Sequence, residues 1–375
     1  MKRFIMFPVS VGDSFYLYTQ DKSILVDGGQ AEKKLEPLIL NKNISKIDYM
    51  LCTHADSDHI GGLIGVLAST SNRISVTQVW VPSFWAWVVS SLITDDVWEK
   101  LASDLNFYSS LEEFSESVKN EANSSGVDTE DIIDITADNL SKAKDALDLI
   151  CYRVPFYGRC YNSKVKMLNK IIKTASSIVK LLIEANNRNC KIRWFEFSNN
   201  MPASGGEPML KPVNSNEIVK VSKLKYSLFE SISLSVANIN SLVFRTPNEN
   251  NEELSDVVFS ADSDFCFNQT KPSLAESAIV TTAHHGSSEH QEFYTWLNLQ
   301  KVVANVVRSD KREVKRPCAD YIAQKMSNAS YCTVCRLDHV KRKFTTKLGV
   351  DFTWNNGWNV ASKKPGYGSS KCSCK

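Results

Sequence analysis

Six consecutive residues, His54-Ala55-Asp56-Ser57-Asp58-His59, supply four groups able to bind a cation. They follow the apolar run Tyr49–Thr53 and precede Ile60-Gly61-Gly62, so the spacing predicts a turn from strand to helix. In extended chain alternate side chains share a face, which lets His54, Asp56 and Asp58 converge. His59 turns toward a neighbouring position as the helix starts. Such a loop can hold two cations, one by His54 and Asp56 and the other by Asp58 and His59. Two further strand ends carry complementary groups. Val258-Phe259-Ser260-Ala261-Asp262 ends in a carboxylate able to bridge two ions, and Val280-Thr281-Thr282-Ala283-His284-His285-Gly286-Ser287 ends in a histidine pair. The chain has six histidines. Four of them fall in these clusters beside three aspartates, a concentration that scattered structural histidines would not give. The chemistry indicated is hydrolysis by two metal ions.

The elements that must position these residues follow from pattern. Phe4–Phe7, Phe15–Thr19, Ser23–Asp27, Tyr49–Thr53 and Val76–Val81 read as strands, with Ile60–Leu67 helical between the last two. Gly12-Asp13 and Gly28-Gly29 mark tight turns. From residue 84 to about 190 turn chemistry thins. From Ser163, as N-cap, apolar residues at Val165, Leu168, Ile171, Ile172, Ala175, Ile178, Val179 and Leu182 trace one face of a helix. Asn123-Ser124-Ser125-Gly126 reads as a loop between helices. Strand pattern returns in Ile192–Phe197, Ile232–Ala237, Ser241–Arg245, Val257–Ala261, Ala278–Thr282 and Val302–Val307. A short helix is expected at 319–326 and closing strands over 331–359. The expected division is a core of residues 1–83 and 191–375, with 84–190 as a helical insertion or cap. Strands, helices and strands again suggest an α/β (α+β) arrangement of stacked sheets covered by helices.

Composition is that of a globular chain, with 375 residues, 43% hydrophobic and 23% charged. No run approaches the roughly 18 apolar residues of a membrane span. The basic start Met-Lys-Arg lacks the apolar stretch and cleavage site of a signal peptide, so a cytoplasmic protein without membrane attachment is expected. Its ten cysteines are then read as thiols. The formal charge of +2 conceals an asymmetry. Residues 301–375 hold 16 Lys and Arg against 5 Asp and Glu, whereas residues 95–150 hold 4 against 15. A basic C-terminal fifth suits a polyanion.

The pattern His54-x-Asp56-x-Asp58-His59 before Gly61-Gly62 resembles the first metal motif of the metallo-β-lactamase superfamily, with Asp56 in place of the second histidine. That replacement, His284-His285-Gly286-Ser287, Asn238-Ile239-Asn240-Ser241-Leu242-Val243, and the opening Val11-Gly12-Asp13-Ser14 with Leu25-Val26-Asp27-Gly28-Gly29 are similar to the metallo-hydrolase domain of ComEC-type competence proteins. The similarity covers roughly residues 1–83 and 230–360. It implies the αββα sandwich of the superfamily, with a helical insertion. It further implies His54, Asp56, Asp58, His59, Asp262 and one of the adjacent histidines, preferably His284, as metal ligands. Asp27 would orient a ligand from beneath the loop, and Asn238, Asn240 and Ser241 would brace the cradle. Two departures stand out. No histidine lies between His59 and His284, a lack that ComEC-type domains share. Arg316-Pro317-Cys318 stands where the family often has a histidine before proline.

These assignments imply a hydroxide formed from water between the ions, oriented by Asp58, with His285 protonating the leaving group. Ser287, Arg308, Lys311, Arg312, Lys315 and Arg316 would meet the substrate phosphate. Exchange of an imidazole for Asp56 hardens one site, favouring manganese or zinc, with magnesium also compatible. The leading expectation is therefore a phosphodiesterase or nuclease acting on nucleic acid. One alternative is hydrolysis of a small ester, lactone or phosphorylated metabolite, in a pocket that Trp80, Phe84, Trp85 and Trp87 could line, although that run is expected rather to anchor the insertion to the core. Another is a non-catalytic module presenting the acidic insertion to a protein partner. Cys332, Cys335, Cys372 and Cys374 could form a structural zinc site, although a strand over Tyr331–Leu337 would point the first two to opposite faces.

Overall fold

A computed structural model describes residues 2–9, 11–107, 132–153, 163–198, 201–222, 227–236, 240–309, 316–333 and 349–361. Two mixed sheets face each other. The first has nine strands in the order Trp358–Val360, Val350–Trp354, Arg3–Met6, Phe15–Thr19, Lys22–Val26, Lys46–Leu51, Ser75–Pro82, Lys191–Phe197 and Ser215–Ile218. The second has six, in the order Ala329–Cys332, Asn305–Arg308, Ser273–Thr281, Leu254–Phe259, Phe244–Pro247 and Lys211–Pro212. The helices are α1 (Leu35–Leu40), α2 (Ser57–Leu67), α3 (Phe84–Leu92), α4 (Val97–Phe107), α5 (Ala137–Arg153), α6 (Ser163–Asn187), α7 (Leu228–Val236), α8 (Gln291–Asn298) and α9 (Ala319–Gln324).

The side-chain period of two sorts the strands between layers. Phe4, Met6, Phe15, Leu17, Ile24 and Val26 point between the sheets, where they meet Phe244, Val257, Phe259, Ile279 and Val307. Their neighbours Ile5, Phe7, Tyr16 and Leu25 point outward, under α1 to α7. On the far side, Val243, Val258, Ala278, Val280 and Val306 lie under α8 and α9. The result is helix, sheet, sheet, helix: the αββα sandwich. Strands buried on both faces must be apolar almost throughout, which explains runs such as Val257–Phe259. No helix among the described residues is long and apolar enough to cross a membrane.

The strand expected at Ile232–Ala237 is instead helix α7. The alternation Ile232-Ser233-Leu234-Ser235 imitates a strand, but the buried serines are satisfied within the helix: Ser233 Oγ donates to Phe229 O and Ser235 Oγ to Ser231 O. A capping box fixes its start. Ser227 N donates to Glu230 Oε2 at 2.8 Å, and Glu230 N donates to Ser227 Oγ at 3.2 Å. The strand expected at Ser241–Arg245 is displaced to Phe244–Pro247, because Ser241 and Leu242 serve the metal loop. Trp80, Trp85 and Trp87 are buried: Trp80 stacks on Phe195 between the sheets, and Trp87 packs on Phe84 while donating to Ser222 O. They are core packing and do not line an open pocket. The loop expected at Asn123–Gly126 lies outside the described residues.

Candidate metal centre

Lys22–Val26, Lys46–Leu51, Ser75–Pro82 and Lys191–Phe197 run parallel in the first sheet, as do Leu254–Phe259, Ser273–Thr281, Asn305–Arg308 and Ala329–Cys332 in the second. Their carboxyl ends therefore carry Asp27, the His54–His59 loop, Asp262, His284-His285 and Ser309 to one end of the sandwich. Helix α2 starts inside the loop. Asp56 is its N-cap with extended backbone (ψ 142°), yet its carboxylate caps nothing, which leaves it free to face the site. Glycines let the loop sit this low. Gly28 N donates to His59 O and Gly62 N to Gly29 O, and a Cβ on Gly62 would collide with Gly28 O. Gly12, at φ +87°, passes so close to Asp58 that a side chain there would overlap its carbonyl. From the other side Ala55 N donates to Ser235 O and Leu242 N to Thr53 O, so α7 and its following segment clamp the loop.

Four imidazoles surround the Asp262 carboxylate. Toward its Oδ1 lie His59 Nε2 at 3.3 Å and His285 Nε2 at 3.8 Å, with Asp58 Oδ2 3.3 Å from the latter nitrogen. Toward its Oδ2 lie His284 Nε2 at 3.5 Å and His54 Nε2 at 3.8 Å, with Asp56 Oδ2 4.0 Å from His54. Among the described residues the Nε2 atoms of His54, His59 and His285 and the Oδ1 of Asp262 are buried with no hydrogen-bond partner. Leaving such groups unpaired is costly. Ligand atoms about 2.1 Å from one tetrahedral ion sit roughly 3.4 Å apart, close to the 3.3 and 3.5 Å separations here, so the residues about Asp262 fit divalent-ion binding. Asp13, His59, Asp262 and His285 also each offer an atom within 4.8 Å of the others.

The remaining ring nitrogens are fixed from behind. His59 Nδ1 lies 2.9 Å from Asp27 Oδ2, and Asp27 accepts from Thr53 N and Thr53 Oγ1. His285 Nδ1 lies 3.1 Å from Asp13 Oδ1, which Ser309 Oγ also contacts. Each carboxylate holds the tautomer that presents Nε2 to the site. Without ions, burial pushes His59 and His285 toward the neutral form, but carboxylates outweigh it. Asp262 and Asp27 hold His59 well above the imidazole range, and Asp13 and Asp262 raise His285 to about 10. Burial likewise opposes ionisation of Asp262, yet the charges of His59 and His285 keep it well below the carboxylate range. Asp56 is raised, chiefly by burial. His284 is lowered to about 4 by burial, with Arg316 and His290 adding to it against Asp262.

His284 is set apart by its partners. Its Nδ1 lies 2.7 Å from His290 Nε2, and Arg316 Nη2 lies 2.6 Å from its Nε2. Both His284 and His285 are in the left-handed region (φ 43° and 54°), which turns the two rings to opposite sides of Asp262. Arg308, expected at the substrate phosphate, is instead fully buried, and its Nε donates to His285 O at 2.6 Å. Ser287 is buried beside the histidine turn, and its N donates to His284 O. Asn240 Nδ2 donates to Leu234 O, while Ser241 O accepts from Asn214 Nδ2. Cys332 is buried at a strand end. Asn238, Lys311, Arg312, Lys315, Cys335, Cys372 and Cys374 lie outside the described residues.

Sequence reasoning gave no role to Asp13, His290 or Ser309. Asp13 stood in the quoted Val11–Ser14 motif, and a buried carboxylate at a tight turn was the signal to follow. His290 and Ser309 had none, because their relation to the site is made by packing alone.

Comparison with known proteins agrees with the geometry. Residues 8–129, which include the His54–His59 loop, match the model of the metallo-beta-lactamase superfamily. The exodeoxyribonuclease WalJ of Streptococcus pneumoniae serotype 2 (strain D39 / NCTC 7466) is 48% identical over 61 residues, and its counterpart in strain ATCC BAA-255 / R6 matches equally. Each match spans 16% of this chain and 22% of the relative, about a fifth of its length.

Proposed function

We propose that this chain is a two-metal hydrolase that cleaves phosphodiesters of nucleic acid. The observation that carries the reading is the set of three buried, unpartnered imidazole nitrogens, on His54, His59 and His285, arranged about Asp262. Asp58, His59, His285 and Asp262 Oδ1 would hold one ion; His54, Asp56, His284 and Asp262 Oδ2 would hold the other. His284 thereby supplies the second imidazole that is missing from the middle of the chain. Bound there, divalent ions supply an acidified water and charge neutralisation at a phosphoryl group. Manganese and zinc both suit this mixed oxygen and nitrogen set.

The protein's own groups do the positioning. Asp13 and Asp27 keep His285 and His59 oriented, and burial excludes competing water. With Nδ1 held by Asp13 and Nε2 facing Asp262, His285 serves in this reading as a ligand rather than as the proton donor. Arg316, half-buried with Nη2 on His284 Nε2, would give up that nitrogen to the ion and turn to a substrate phosphate oxygen. The phosphodiester substrate class is supported by this arginine, by the basic composition of residues 301–375, and by the partial match to a protein named as an exodeoxyribonuclease. A soluble, cytoplasmic setting and a core of 1–83 and 191–375 with a helical insertion belong to the same reading.

The test is to reconstitute metal-free protein with manganese or zinc and assay single-stranded DNA, duplex DNA and RNA. A generic phosphodiester and a lactone are run in parallel. Oligonucleotide cleavage that needs added metal, and that Asp58→Ala and His59→Ala abolish together with metal content, is expected. Retention of full metal and turnover by those variants would end the scheme, and turnover of the lactone alone would assign the site to small substrates.

A further inference from the structure

The insertion is acidic in its first part, but α6 reverses the sign. Residues 163–183 contain five lysines and no acidic residue. Lys166, Lys170 and Lys173 fall at i, i+4 and i+7, so they share one exposed face, opposite the buried face of Leu168, Ile171, Ala175 and Ile178. Contacts fix where this face lies. Lys180 Nζ pairs with both Glu32 carboxylate oxygens, at 3.0 and 2.9 Å, and Glu32 adjoins Gly65 in the last turn of α2. Arg188 donates to Ser69 O and Ile74 O, just beyond the end of α2. Helices α6 and α2 therefore run side by side in the same direction. The first half of α6 is carried to the level of the N-terminus of α2, where Asp56 and Asp58 stand.

From this alignment we infer that Lys166, Lys170 and Lys173 form a track for the phosphodiester backbone of a nucleic acid strand entering the metal centre. The inference rests on the function proposed above and assigns the insertion a part in it. Among the described residues Lys166 and Lys173 make no hydrogen bond or ion pair, unlike Lys180, which is spent on Glu32. Their Cα atoms are about 10 Å apart along the axis. That is roughly three phosphate repeats of one strand. A neutral small substrate would gain nothing from such a row, whereas each phosphate contact releases a counterion and adds affinity.

The experiment compares the metal-loaded wild type, K166E/K173E and K142E/K144E. The last reverses two exposed charges on α5, elsewhere in the insertion. Binding of a fluorescent, cleavage-resistant phosphorothioate oligonucleotide is measured against salt, with turnover of an unmodified oligonucleotide and of bis(p-nitrophenyl) phosphate. K166E/K173E should bind the oligonucleotide about tenfold more weakly and lower the salt slope by about 1.4, with small-substrate turnover unchanged and the control near wild type. Wild-type binding and oligonucleotide turnover in K166E/K173E would overturn the track and leave the nuclease reading intact. A wild type that neither binds nor cleaves oligonucleotides would overturn both.

Discussion

His285 Nδ1 lies 3.1 Å from Asp13 Oδ1, a contact between residues 272 positions apart. It joins the first turn of one sheet to the histidine turn of the other, at the point where the sandwich closes over Asp262. His59 and Asp27 repeat the arrangement within the first sheet. Each carboxylate stands behind a ring nitrogen, and Asp13 also offers an atom within 4.8 Å of His59, Asp262 and His285.

Asp13→Asn should therefore keep the fold and lose metal affinity, by about 10- to 100-fold, the usual cost of removing a carboxylate behind a ligating imidazole. Calorimetric titration of metal-free protein with zinc or manganese measures it. Unchanged affinity would show that Asp13 holds only the turn.

Metal content should divide by residue. Asp262→Ala, which removes the shared carboxylate, should carry almost no metal, whereas His54→Ala should keep about one ion per chain on the Asp58, His59 and His285 side. Elemental analysis after gel filtration reads both. Chelation of the wild type should also lower its thermal midpoint, since ions bound only to the native state stabilise it.

Gly62→Ala should be more damaging than its single methyl suggests. The added Cβ meets the backbone of Gly28, which cannot rotate aside, and α2 would be lifted from the metal loop. A loss of about 3 kcal/mol or more is expected from overpacking of this kind. Denaturant unfolding beside a metal titration checks it, and both should suffer together.

A pH effect is expected away from the metals. Arg193 donates from Nε and Nη2 to the two oxygens of Glu217, at 2.6 and 2.5 Å, and its guanidinium lies 4.4 Å from the Trp80 ring centre. Burial would raise the Glu217 carboxyl, but Arg193 and the Gly206 N–H outweigh it and hold it below the usual range. Its stabilisation is thus complete above the unfolded carboxyl's pKa and is lost as pH falls through the lower folded value. Glu217→Gln should cost about 1–3 kcal/mol at pH 7. The gap to wild type should close as pH drops below about 4. Unfolding curves from pH 7 to 3 give the comparison, and a constant gap would contradict it.

Much of this protein was legible in its residues. Phe15–Thr19 is a strand at the bounds its alternation predicts, and α6 begins at Ser163, because periodicity and caps are local properties. The cluster of acids and histidines at strand ends was likewise visible, since ligands must come from short loops with particular side chains. Tertiary structure decided the rest. It made Ile232–Val236 helical, since a capping box and serine bonds within the helix prevailed over an alternating pattern. It buried Arg308 beneath His285, where the reading of the residues had set it against the substrate phosphate. It also turned His284 and His285 to opposite sides of one carboxylate, and set α6 beside α2. Sequence fixes which groups are available, but convergence of groups separated by up to 272 positions depends on how two sheets pack, which no local pattern encodes.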